Sequence, residues 1–193
     1  MFDCQIEGQN MTTKTQATVD DLYRVPEDGK AELVNGELVL MPPTGGVPGR
    51  AAGEIFISLR EYERRVGGGY AFPDNVGFIV NLPNRRSFSP SAAFYKGELR
   101  GGLFLEGAPV FAVEVRSAED YGPATDKRMA LKRADYFAAG TLVVWDVDVL
   151  REKVVRVYRA SDPANPIIFR SDDVAHAEPV LPSWTMALNE MFG

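Results

Sequence analysis

The 193-residue sequence predicts an α/β domain, a mixed β-sheet flanked by helices and preceded by an N-terminal β-hairpin. Three observations predict it. An Asn-Gly pair divides two short apolar-rich runs near the start, the almost uninterrupted apolar run "APVFAVEV" lies mid-chain, and two helical segments alternate with a series of short strand-like segments.

In "AELVNGELVLM" (31–41), Asn35 and Gly36 both tolerate positive φ, which makes this the strongest short-range signal for a hairpin. After Pro42-Pro43 and a glycine-rich loop, Ile55, Leu59, Tyr62 and Val66 recur at spacings of three and four and predict a core-facing helix over 49–66. Strands follow at 70–80, 89–95 and 108–115, the last expected at the centre of the sheet. "TDKRMALKRADYFAAG" predicts a second helix, with Thr125 as N-cap and Gly140 as C-cap residue. "TLVVWDVD" and "KVVRVYRA" read as two strands joined by a turn around 149–152, with a weaker strand at "PIIFR". The tail is expected to pack Trp184, Met186, Leu188 and Phe192 onto the body. No linker is long enough to split the chain, so the expected organisation is a flexible extension over 1–18 and one domain over 19–193.

Composition narrows the function classes. Hydrophobic residues make up 45% of the chain and charged residues 25%, as in an ordinary soluble domain. The single cysteine, Cys4, excludes an intrachain disulfide and a cysteine-cluster zinc site. The single histidine, His176, excludes HExxH proteases, HNH-type nucleases and multi-histidine metal centres. A catalytic metal would therefore rest on carboxylates, which favour magnesium, manganese or calcium over zinc. A net charge of −6 argues against a general nucleic-acid coat protein and leaves room for a local basic groove. Arg64-Arg65, Arg85-Arg86 and the run 126–133 are small basic groups of the kind that usually face solvent. No apolar run approaches the roughly 20 residues of a membrane span, and the first ten residues lack the features of a signal peptide. The expectation is a cytoplasmic protein without membrane contact; the residues before Met11 read equally as an extension or as the product of an alternative start.

Glu114 stands out because "PVFAVEVRS" sets a carboxylate inside an apolar strand, and glutamate is rarely buried without a partner or a metal. Strand alternation puts Ala112, Glu114 and Arg116 on one face and Phe111, Val113 and Val115 on the other. Pairing with an arginine and binding of a divalent metal both account for it. Asp146 and Asp148, beside a turn, read as a solvated pair. "TGGVPGRAAG" lacks a Walker lysine and the GxGxxG spacing, so it does not read as a nucleotide site.

Taken in order, "AELVNGELV", "SPSAAFY", "PVFAVEVRS" and "DKRMALKRADYFAAGTLVVWDVD" resemble the Uma-type (DUF820-like) family of restriction-endonuclease-like proteins, within the PD-(D/E)xK nuclease superfamily. The resemblance runs from about Val19 to Phe192. It implies a restriction-endonuclease-like fold and a metal-dependent endonuclease that hydrolyses DNA phosphodiesters with Mg²⁺ or Mn²⁺. By the same resemblance Glu114 is a metal ligand and catalytic residue, Glu32 joins the site from the hairpin, and the lysine of the motif has moved to the helix as Lys132, one turn before Tyr136. Arg116 takes the lysine's place in the strand and, being permanently protonated, cannot act as a base. The family has Pro-Asp where this chain has Pro90-Ser91, which puts a neutral hydroxyl in the place of a metal carboxylate and weakens or removes activity. Pro73-Asp74 is a literal Pro-Asp, but it lies a whole strand too early. The alternative is a non-catalytic nuclease-fold protein that binds nucleic acid or protein. A third reading, in which the fold serves an oligomer such as a homodimer, stays open.

Overall fold

The structure is a computed structural model that describes residues 16–26 and 29–192. Cys4 and Met11, and with them most of the expected extension, lie outside the described residues.

Thr18 starts helix α1 (Val19–Tyr23) with a capping box, its hydroxyl accepting the Asp21 N–H while the Asp21 carboxylate accepts the Thr18 N–H. Strands β1 (Lys30–Val34) and β2 (Glu37–Met41) form the expected hairpin, with Asn35 and Gly36 at φ 51° and 74°. The first long helix, α2 (Gly46–Val66), starts three residues before its expected position and ends where expected.

The strand expected over 70–80 is two strands, β3 (Tyr70–Phe72) and β4 (Phe78–Ile79). Pro73 interrupts the ladder and Asn75, at φ 63°, turns the chain. Next come β5 (Ser87–Phe88), β6 (Ala92–Tyr95), β7 (Leu105–Glu106) and β8 (Phe111–Val115). Helix α3 (Pro123–Ala138) is capped by Gly122 and not by Thr125, because Pro123 fills the first helical position, where its missing N–H costs nothing. Gly140, at φ 104°, lies just beyond the helix end. Strands β9 (Val143–Asp148) and β10 (Val154–Arg159) follow, and β11 (Asp162–Arg170) is longer than "PIIFR" indicates. The tail adds β12 (Val174–His176), β13 (Thr185–Ala187) and the single turn α4 (Asn189–Phe192).

Six strands form the main sheet in the order β11-β10-β9-β8-β6-β3, with β8 and β9 parallel and the other pairs antiparallel. It is a mixed sheet with β8 near its centre and helices on its two faces, as expected. On one face Phe111, Val113, Val115, Trp145 and Val147 pack with Ile55, Leu59 and Tyr62 of α2 and with Trp184 from the tail. On the other, Ala93, Ala112 and Val144 pack with Tyr136 of α3 and with Phe78 and Phe88. On this face the strands themselves carry the small residues Ala93, Ala112 and Val144 next to Glu114, and that leaves room for a polar site among the aromatic rings. Among the described residues, no helix is long and apolar enough to cross a membrane.

Candidate active site

Three elements send charged side chains to one point on the α3 side of the sheet. β1 is held beside β5, where the Leu33 N–H donates to Ser87 Oγ at 2.8 Å and the Arg86 N–H to the Leu33 carbonyl at 2.8 Å. This places Glu32, only 4% exposed, under α3. Glu114 comes from β8, and Lys132 and Tyr136 come from adjacent turns of α3.

Lys132 Nζ lies 2.8 Å from Glu32 Oε1 and 2.8 Å from Glu114 Oε1, so one ammonium bridges two carboxylates. The Tyr136 hydroxyl donates to Glu114 Oε1 at 2.7 Å, and its ring stacks on Phe88 at 3.9 Å. Glu32 Oε1 also accepts the Ser89 N–H at 2.9 Å, while its Oε2 accepts Arg85 Nη1 at 2.6 Å. Arg85 Nε in turn donates to Asp135 Oδ2 at 2.8 Å. Glu32, Glu114 and Lys132, named from sequence, thus meet.

Ser91 is beside them. The β6–β8 register pairs Ala92 with Val113, and one residue further it sets Ser91 across from Glu114. The Ser91 N–H donates to the Val113 carbonyl at 2.9 Å, and Ser91 Oγ accepts the Val115 N–H at 3.1 Å. An aspartate at this position would face Glu114 directly.

Other expectations fall differently. Asp74 is bound to Lys30 and Thr44, holding the hairpin against the β3–β4 turn. Asp146 and Asp148 are buried, not solvated, at 2% and 1% exposure. Arg116 forks onto Asp146 at 2.7 and 2.8 Å, and the Tyr121 hydroxyl donates to Asp148 at 2.7 Å. Glu114 is paired with a lysine, not an arginine. Sequence reasoning missed Arg85 and Asp135 as members of the cluster. They are some fifty positions apart, and nothing local marks either as more than a surface charge.

The electrostatics follow from this closure. Burial alone would push the Glu32 carboxyl up, but Lys132 and Arg85 outweigh it and hold it below the usual carboxylate range. Burial alone would lower the Lys132 ammonium, but Glu114 and Glu32 raise it above the usual lysine value. Burial, reinforced by Glu114 and Glu32, pushes the Tyr136 phenol well up, so it remains a hydrogen-bond donor.

Among the described residues, no group of three or more His, Cys, Asp or Glu side chains is arranged to hold a metal ion. What Glu114 and Ser91 offer is small: both bonds that Glu114 receives end on Oε1, leaving Oε2, and Ser91 adds a neutral hydroxyl. That donor set fits a weakly held magnesium-class ion, which is commonly bound through one or two carboxylates with water and substrate phosphate completing the shell.

A family model described as "Uma2: Putative restriction endonuclease" matches residues 18–189. The chain belongs to the Uma2 family. Among solved structures, this Uma2 chain is similar to "a putative nuclease belonging to DUF820 from Anabaena variabilis ATCC 29413", with a TM-score of 0.70 and 19% identity over 91% of this chain and 97% of that one. The likeness establishes a shared restriction-endonuclease-like fold. No curated protein matches the chain.

Proposed function

We propose that this Uma2 chain is an endonuclease hydrolysing DNA phosphodiester bonds at the Glu32, Glu114 and Lys132 cluster, with activity lowered by Ser91. The observation that carries this reading is the convergence of two carboxylates on one buried ammonium beside the position of the missing aspartate. A Mg²⁺ or Mn²⁺ ion held by Glu114 and Ser91 would supply charge neutralisation on the phosphodiester and a more acidic bound water. Lys132 has its proton held in place by two carboxylates, so it serves as a cation that stabilises developing negative charge and not as a base. Arg85 positions Glu32, and Tyr136 fixes the Glu114 carboxylate without giving up its proton.

The test is cleavage of plasmid and linear DNA with Mg²⁺ or Mn²⁺. Glu114→Ala and Lys132→Ala are expected to abolish turnover, and Ser91→Asp to raise it by on the order of tenfold or more, the scale of roughly one added charged ligand contact. Equal activity in all four proteins would reject the reading. A second reading is favoured by the Ser91 hydroxyl, already committed to the Val115 N–H: the fold is kept as a non-catalytic module that binds nucleic acid or protein. It expects no metal uptake in titration and no gain from Ser91→Asp.

A further inference from the structure

One strand away from Glu114 lies a cleft of about 430 Å³, bounded by α3, the segment that leads into it from Arg116, and β9 and β10 with the turn between them. The β8–β9 register pairs Glu114 with Asp146, and β9–β10 pairs Asp146 with Arg156, so the cleft and the candidate site share one face of the sheet. Neighbouring strands are about 5 Å apart, so a nucleic-acid strand lying across Glu114 would carry another phosphate to this cleft.

Four guanidinium groups line it, from Arg116, Arg133, Arg151 and Arg156. Its two buried carboxylates are already engaged. Asp146 takes Nε and Nη2 of Arg116, whose Nη1 donates to the more exposed Asp126 at 2.8 Å, and lies 4.0 Å from Arg133, while Asp148 accepts the Tyr121 hydroxyl and the Arg151 backbone N–H. The guanidiniums of Arg151 and Arg133 sit over the rings of Tyr121 and Tyr158, 3.8 and 3.6 Å from the ring centroids, contacts that hold them in place and supply no acceptor oxygen. Arg156 Nη2 reaches only Glu152 on the rim, 61% exposed, and Arg156 Nη1 is buried with no hydrogen-bond partner among the described residues. Gly122, which caps α3 without a side-chain bond, forms part of the wall. Four carboxylates, Asp126, Asp146, Asp148 and Glu152, thus match the four guanidiniums in number, but among the described residues the guanidinium hydrogen bonds they accept come from Arg116 and from Arg156 Nη2, which leaves the donors of Arg133, Arg151 and Arg156 Nη1 open. Forked guanidiniums near a helix N-terminus match the oxygens of a phosphate.

We propose that this cleft is a phosphate-binding subsite that takes a phosphate group of a nucleic-acid strand. The identity of the strand rests on the nuclease reading above, and the phosphate chemistry does not. Glu152 is its internal competitor, holding Arg156 until phosphate arrives.

Calorimetric titration of the full chain with inorganic phosphate tests it directly, with Glu114→Gln as background so that no turnover is involved. Saturable binding is expected, about tenfold or more weaker in Arg156→Gln and in Arg151→Gln and tighter in Glu152→Gln, with unfolding midpoints of the arginine variants showing that each remains folded. A short oligodeoxynucleotide is expected to displace the phosphate. Phosphate that binds but is not displaced would overturn the strand as source and leave a free phosphate compound. No phosphate binding by the folded protein, or binding indifferent to both arginine substitutions, would overturn the subsite. DNA cleavage without phosphate binding would do so too while upholding the nuclease reading, and phosphate binding without cleavage would do the reverse.

Discussion

Glu32 accepts bonds from Lys132, Arg85 and the Ser89 N–H, and these let a carboxylate that is 4% exposed stay charged. Glu32→Gln keeps its shape and strips its charge, leaving two buried cations short of a partner. We expect a loss of about 3–5 kcal/mol, measured by urea denaturation; a loss below about 1 kcal/mol, the range of an exposed pair, would show the cluster to be solvated. Because the folded-state value of Glu32 is depressed, its contribution is present above its ordinary value of 4.5 and is lost as the pH falls through the lower folded value. Stability measured against pH should therefore fall more steeply below about pH 4.5 in the native protein than in Glu32→Gln. Tyr136→Phe removes one donor to a charged acceptor and should cost about 1.5–3 kcal/mol while leaving the ring stack on Phe88 in place.

At the scale of elements, the hairpin and α3 decide whether these residues meet. β1 presents Glu32 to the cluster only in the register set by Asn35-Gly36, and a slip of one residue would turn Glu32 to the opposite face. Gly36 sits at φ 74°, where a Cβ is strained by about 1–2 kcal/mol. Gly36→Ala should lower stability by that amount in a urea unfolding curve, since the nearest atoms to the added carbon, in the flexible Gln16 side chain at 3.0–3.2 Å, can yield. The hairpin was legible in sequence because its determinant is two adjacent residues. The start of α3 is not legible in this way, since Thr125 is a good capping residue in isolation but Pro123, two positions earlier, is already committed to the first turn. The Lys132–Tyr136 spacing does not depend on that start, because one helical turn is the same wherever the helix begins.

For the whole molecule, the sheet is shared by two apolar layers, with Trp145 and Trp184 in the α2 layer and Tyr136 in the α3 layer. Neither layer is closed without the sheet between them. We propose on this basis that residues 19–193 form one domain, and we expect tryptophan fluorescence and far-ultraviolet circular dichroism to report a single coincident unfolding transition. Separated transitions would refute it.

By itself the sequence determined the fold class, the Asn-Gly hairpin, the anomaly of Glu114 in an apolar strand, the one-turn spacing of Lys132 and Tyr136, and the neutral Ser91 after a proline. All of these are short-range patterns written in adjacent residues or in one periodicity. Only the tertiary structure decided that Glu32 and Glu114 share one lysine, that Arg85 and Asp135 close the network, and that Asp146 and Asp148 are buried beside an arginine-lined cleft. The physical reason is that ion pairs between residues tens of positions apart leave no periodic trace. A charged side chain reads alike in sequence whether water or another charge will meet it.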